Sequence, residues 1–539
     1  MKKIFINIGL VLGLFTMLFL NACKEDIDPV VDELQFSRAF TPVGLSAQIS
    51  NITTVTLNWN AEKNADHYVI EIYQGTDLVP ASLIHTAEIA GSLTTYIYVL
   101  PAGDTQFTAR IKTVSSLEGV EDSKWNPIEF KSLPENLFLG YKSEMTGFHE
   151  CTVKWTPGTT ATALLFVNGT TQTPFTLTAG EIAEGVKVLS GVANGNYEVR
   201  LMNTTFVRGK TKVIIEGDAL LATGGDLNTA IDALPAGGVL LLSNGASFGL
   251  SKPDTVTASI KIRGIAPDNR PIIYLMTGTG NNHMFDIDPS MTLSDSLVFE
   301  NVNISCLYDD AGTTRHRGVI DQELTPMHIG SIRFLNCIIR NSDRAAIRLR
   351  GHADGQVITN LEFNGCIMYD FAVGGTQTYG IVNPNAATAT ISNIKFINST
   401  IYSFRNALIN YGAGIGCQSV TINNCTFDQM MLDPATARYF IDFGASGTSA
   451  GTIAISNCIF GKTGTLANGI RNASMTISAI TGSYYTTDFV PVIGTFISNM
   501  TAYSGLSTAL WTDPLNGNFT FLDVSFAGIK TAGAPGWRP

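Results

Sequence analysis

The sequence predicts an all-β chain: a solenoid of stacked parallel coils preceded by two small β-sandwiches. Three observations carry this. Downstream of residue 280 an apolar strand ending in Asn-Cys or a near equivalent keeps returning. It reads Phe299-Glu300-Asn301-Val302, Phe334-Leu335-Asn336-Cys337, Phe363-Asn364-Gly365-Cys366, Phe396-Ile397-Asn398-Ser399, Ile422-Asn423-Asn424-Cys425 and Ile455-Ser456-Asn457-Cys458. A second series, Phe285, Val319, Ile347, Ile381, Leu408 and Ile441, opens a short strand 17 (285 to 302) to 19 (347 to 366) residues earlier. The step onward to the next copy varies from 9 (399 to 408) to 17 (302 to 319). One arc is nearly constant and the other is not, as in coils with fixed strands and one variable loop face. Third, charged residues are only 15% of the chain while Gly is abundant at 51, which suits short strands and turns.

Taken in order, the chain opens with Lys2-Lys3, an apolar run from Ile4 to Leu20, and Leu20-Asn21-Ala22-Cys23. A charged start, an apolar stretch and a small-residue site before Cys mark residues 1–22 as a lipoprotein signal peptide. Cleavage leaves Cys23 as a lipidated N-terminus and a mature chain of 539 − 22 = 517 residues. Residues 23–40 form an anchor linker. Its Lys24-Glu25-Asp26-Ile27-Asp28 resembles the acidic tag that directs Bacteroidota lipoproteins to the outer cell surface. The expected address is the outer membrane, lipid-anchored and facing the exterior.

Residues 41–132 carry Val55-Thr56-Leu57-Asn58-Trp59, Tyr68-Val69-Ile70-Glu71-Ile72-Tyr73 and Phe107-Thr108-Ala109-Arg110-Ile111. An early buried Trp followed by alternating strands resembles a fibronectin type III domain, with Phe107 where such domains usually place a corner tyrosine. Residues 135–217 repeat the scheme more faintly through Cys151-Thr152-Val153-Lys154-Trp155 and Asn196-Tyr197-Glu198-Val199-Arg200-Leu201. Such modules are normally spacers.

At the start of the solenoid, Asp226 is placed to cap a short helix whose Leu227, Ile231 and Leu234 share one face. A cap is physically needed, because an uncovered end strand is an aggregation template. Within the coils Ile332/Phe334, Leu361/Phe363 and Ile394/Phe396 alternate, so one face of each strand turns inward. The Asn at each bend can form a side-chain ladder between coils, broken at Gly365 with Asn364 a possible substitute. The Cys or Ser that follows is expected to point inward as a small buried group, so few or no disulfides are expected. A capped solenoid of this pattern over residues 219–539 resembles the right-handed parallel β-helix of the pectate lyase superfamily.

Function classes narrow with charge. The formal charge of −11 becomes −13 when the two leader lysines are lost, an excess that argues against nucleic acid as a partner. No C-x-x-C or His pairing suggests zinc, and no Gly-rich strand–helix turn suggests a nucleotide, so no cofactor is expected.

If Ile347 and Leu349 point inward, Arg348 and Arg350 point outward about 7 Å apart. In pectate-lyase-like proteins this outer face is the saccharide groove, and the resemblance implies that it displays Arg348, Arg350, Gln322, Tyr411, Asp442 and Arg471. Neighbouring loops add Arg315, His316, Arg317, Asp343, Arg344, His352 and Arg405. Arginines recognise carboxylates bidentately and Tyr lies against a sugar face, so a polyuronate fits. The plainer reading is a solubilising arginine row paired with Asp343 or Glu362, with Tyr411 packed under a loop.

The main alternative is a polysaccharide lyase, which removes the proton α to a uronate carboxylate; Arg348 is then the candidate base. Calcium would need converging carboxylates, for which Asp286 and Asp288 with Asp309-Asp310 are the candidates. The Arg-x-Pro-x-x-Arg motif of many pectate lyases is missing, Gly351-His352-Ala353 departs from the polygalacturonase Gly-His-Gly, and no catalytic pair can be assigned. A structural adhesin is the remaining alternative. The tail, with Trp511-Thr512-Asp513-Pro514 and Gly533-Ala534-Pro535-Gly536-Trp537-Arg538-Pro539, resembles the closing segment of Bacteroidota β-helix lipoproteins assigned domains of unknown function. That resemblance implies a polysaccharide-utilisation system, with an anionic polysaccharide, outer-membrane lipid and outer-membrane glycan transporter components as partners.

Overall fold

Alternating burial builds every layer of this chain. The structure is a computed structural model describing residues 36–276, 282–373, 375–376, 378–384, 386–411, 415–445, 449–478, 480–491 and 499–539. Cys23 and the expected signal peptide, residues 1–22, lie outside the described residues.

The first sandwich packs the sheet of Ser46–Ser50, Thr54–Asn58 and Thr95–Val99 against that of Leu83–Ala90, Ala65–Gln74, Gln106–Ser115 and Asn126–Lys131. Trp59 meets Tyr68 edge-on at 5.3 Å within its core, and Phe107 is fully buried. The second sandwich repeats this three-plus-four arrangement around Trp155. Apolar side chains join the modules. Phe206 of the second sandwich lies in the core of the first, while Leu241 and Ile265 from the first solenoid coils lie in the core of the second. Glu135, held by two hydrogen bonds of 2.6 and 2.7 Å from Arg208, also accepts from Gly103 N of the first sandwich at 3.0 Å.

From Ala219 onward the chain is a right-handed parallel β-helix of three parallel sheets with ten, ten and eight strands. One coil runs Met327–Leu335 in the first sheet, Ile338–Arg340 in the second and Ile347–Leu349 in the third. The helix Leu227–Asp232 closes the open end, with Leu227 and Ile231 in the core and Asp226 accepting from Thr229 N at 2.7 Å. Inside, Phe299, Phe334, Phe363 and Phe396 stack with ring centroids 5.0–5.2 Å apart.

The bend residues show why Asn recurs. Asn301, Asn336, Asn398, Asn424 and Asn457 all have φ between +52° and +55°, a left-handed conformation that Asn tolerates better than most side chains. Gly365 occupies the same position at +69°, and Asn364 takes over the ladder by accepting from Asn398 at 3.2 Å. Asn336 donates to Asn301 at 2.7 Å and accepts from Arg270 at 2.6 Å. Asn336→Ala therefore loses both bonds while keeping a strained φ, and should destabilise the solenoid by about 2–3 kcal/mol. Asn336→Gly, relieved of the strain, should cost less; urea unfolding of the two variants measures the difference.

Val302, Cys337, Cys366, Ser399, Cys425 and Cys458 form the inward stack beside the bend, at most 1% exposed. The seven cysteines of the described residues are free, and burial pushes the Cys337 and Cys425 thiols well up. At the far end the tail folds back over the outer face of the second sheet. Trp537 Nε1 donates to Thr400 Oγ1 at 2.8 Å and Arg538 to Asn424 Oδ1 at 3.0 Å.

Candidate functional site

Strand register defines the outer face of the third sheet. Asp321, Arg348 and Asn383 are Cα partners on successive coils, as are Asn410, Asp442 and Arg471. The pairing of Val382 with Ile409 joins the two runs, and that of Phe285 with Ile320 sets Asp286 before Asp321. Seven polar side chains thus stand in one row about 29 Å long, at about 4.8 Å per coil.

Two expectations fail here for one reason. Ile347 pairs with Ile320 and Val382, not with Val319 and Ile381. Each of these coils opens with two apolar residues in succession, both buried, so hydrophobicity alone does not set the register. A slip of one residue exchanges the faces. Gln322, expected outside, aligns with Leu349 and is fully buried, its amide closing a pair of 3.0 Å bonds with the Ile287 backbone. Tyr411 is likewise internal, stacked on Phe443 at 5.2 Å with its hydroxyl bonded to the Ile391 backbone. Neither lines the groove. The residues that take their places are Asp321 and Asn410, with Asn383 between.

Asp321, 1% exposed, is the centre of the first cluster. Arg348 approaches it at 3.2 Å, Arg344 at 3.9 Å and Arg317 at 4.0 Å. Glu323 takes Arg350 at 2.7 Å and Arg317 at 3.3 Å, and Asp343 lies 3.6 Å from Arg344. Four guanidiniums therefore face three carboxylates. The Arg348 guanidinium stacks 4.2 Å from the Tyr379 ring, with Arg344 at 5.5 Å. Arg348 is thus not an open cation on a solvated strand; it is 7% exposed. The Nε atoms of Arg317, Arg344 and Arg348 are nevertheless buried without a hydrogen-bond partner, as is Asn383 Nδ2.

Two further ion clusters follow along the solenoid. Arg405 (2.9 Å) and Arg438 (2.8 Å) share the buried Asp433. Burial pushes the Asp433 carboxyl up, but the Ala435 N–H, Arg438 and Arg405 outweigh it and hold the group below its usual range. Arg471 grips Asp442 through two 2.7 Å bonds and lies over the Tyr439 ring at 4.6 Å.

The loop candidates divide. Arg317 and Arg344 join the first cluster, whereas Arg315 bonds the Asp370 backbone at 3.1 Å. His352 sits in a turn where its Nδ1 accepts from Asp354 N at 3.1 Å. His316 is fully buried, and desolvation pushes its pKa down to about 4, so it is neutral at pH 7. The proposed calcium carboxylates are occupied separately: Asp286 by His283 at 2.8 Å, Asp288 by Ser290, and Asp310 by Arg340 at 2.6 Å. Among the described residues no group of three or more His, Cys, Asp or Glu side chains is placed to hold a metal.

Residues 420–537 match a family model described as Domain of unknown function (DUF5123). The match runs from the later coils through the folded-back tail. The chain is similar to a two-domain fibronectin type III segment of chicken tenascin, at 18% identity, covering 32% of this chain and 98% of that one with a TM-score of 0.20. It is also similar to the third fibronectin III domain of human KIAA0343 protein, at 11% identity, covering 19% and 90% with a TM-score of 0.16. No curated protein matches the sequence.

Proposed function

We propose that the solenoid binds an acidic, pectin-like polysaccharide along the outer face of its third sheet. The observation that carries this reading is the cluster around Asp321, where guanidiniums outnumber carboxylates and three buried Nε donors are unspent. A sugar carboxylate supplies an anionic acceptor for those donors. Asn410, Asp442 and Arg471 extend the row with groups that can bond sugar hydroxyls. The internal pairing also tempers the charge: the face is a mixed polar strip, and its attraction for polyanions is weaker than the arginine count implies. The tail occupies the second sheet and leaves the third uncovered by it. The same proposal places the protein at the cell surface, anchored through Cys23 in the outer membrane beside glycan transporter components.

A lyase reading needs an arginine open to the substrate's α proton, and Arg348 is instead engaged with Asp321 at 3.2 Å and with the Tyr379 ring 4.2 Å from its guanidinium. The test is retention of the purified protein on polygalacturonate and on a neutral glycan, with ultraviolet absorbance read for unsaturated products. Selective retention without product is expected. Joint Arg344→Gln and Arg350→Gln replacement should weaken retention roughly tenfold or more. Wild-type retention by that variant would move the site elsewhere.

A further inference from the structure

Arg348 and Asn383 are Cα partners on adjacent coils, about 4.8 Å apart along the same outer row. The Arg348 side chain is 9% exposed and Asn383 is fully buried. Asn383 Oδ1 accepts from Gly380 N at 2.9 Å, which fixes the amide with Nδ2 free. Arg348 spends Nη1 on Asp321 at 3.2 Å, and its Nε is free. Two neighbouring donors, one cationic and one neutral, are thus buried with nothing to accept from them. Such groups each carry a desolvation cost that an arriving acceptor removes. The Tyr379 ring stands 4.2 Å from the same guanidinium.

We propose that Arg348 Nε and Asn383 Nδ2 form a carboxylate subsite, and that the Tyr379 ring leaves the guanidinium face when a ligand enters. This rests on the groove reading above and adds a chemical preference to it. Both free groups need an acceptor and the guanidinium favours an anionic one, in a cluster where Arg317, Arg344, Arg348 and Arg350 meet Asp321, Glu323 and Asp343, with Asp286 next to Asp321 in the row. A free uronate carboxylate satisfies both needs. A methyl ester offers a carbonyl oxygen but no charge, so the subsite selects de-esterified polymer.

Isothermal titration of the full chain with polygalacturonate and with its fully methyl-esterified form tests this. The wild type should prefer the free acid by roughly tenfold or more. Asn383→Asp places a carboxylate beside Arg348 within the protein itself and should abolish that preference. Tyr379→Ala should keep the preference and bind faster. Equal wild-type affinity for the two polymers overturns the subsite while leaving the groove intact, and decides the matter even if a variant fails to fold. An Asn383→Asp protein with the full preference also overturns it. Binding of neither polymer by the wild type refutes the groove itself, and the subsite with it.

Discussion

Phe363→Ala is expected to lower the stability of the solenoid by about 3–5 kcal/mol, the usual cost of deleting a fully buried aromatic side chain. Phe363 is the middle of a continuous stack, 5.0 Å from Phe334 on one side and 5.0 Å from Phe396 on the other. Its removal opens a void that the neighbouring rungs cannot close, because each is fixed by parallel hydrogen bonds to the next. Both ring contacts are lost as well. Phe363→Leu should recover part of the loss. Urea unfolding followed by far-ultraviolet dichroism gives the difference; a Phe363→Ala protein within 1 kcal/mol of wild type, well below that ~3 kcal/mol floor, would show that the stack is not a tightly packed core.

Asp428→Asn should act with the opposite sign and depend on pH. Asp428 is fully buried beside the segment that brings the tail back. Its Oδ1 accepts from Lys462 N at 2.7 Å and its Oδ2 has no hydrogen-bond partner. Burial raises its pKa to about 7, with the Lys462 N–H opposing and the nearby Asp488 adding to the rise. A carboxyl raised on folding contributes stability that is fully present below its unfolded value near 3.8 and is lost as pH rises through about 7. The asparagine variant has no such loss. It should match wild type near pH 4 and exceed it at pH 8 by on the order of 2–4 kcal/mol. A stability difference that does not change between those pH values would contradict the buried ionisation.

The architecture was legible in the sequence because its signals are redundant. Bend asparagines, inward Cys and Ser and alternating Phe each repeat from coil to coil, and each reports a separate physical demand: positive φ, a small inward group, a filled core. The Gly365 coil shows this well, since the exchange of the ladder to Asn364 follows from having a permissive residue at the bend and an amide beside it.

The groove was only half legible. Arg348, Asp442 and Arg471 face outward as expected because the apolar residue that the repeat spacing takes as inward, Ile347, Ile441 or Ile470, is also the inward one in the structure. Gln322 and Tyr411 follow the doubled apolar pairs Val319-Ile320 and Leu408-Ile409, where either residue could be the inward one, and both were turned the wrong way. Asp321, Asn383 and Asn410 share a signal that would have found them: each directly follows the second apolar residue of such a pair. What no spacing rule supplies is the convergence of Arg317, Arg344 and Arg348 on Asp321, because the side chains come from three loops or strands whose lengths vary from coil to coil.

The most direct test of polysaccharide binding on the third sheet is hydroxyl-radical footprinting of the full chain with and without polygalacturonate. Protection should appear at Tyr439, which flanks the row, and be absent at Trp125 on the first sandwich and at Trp537 over the second sheet. Protection confined to Trp125 or Trp537, with Tyr439 unchanged, would contradict it.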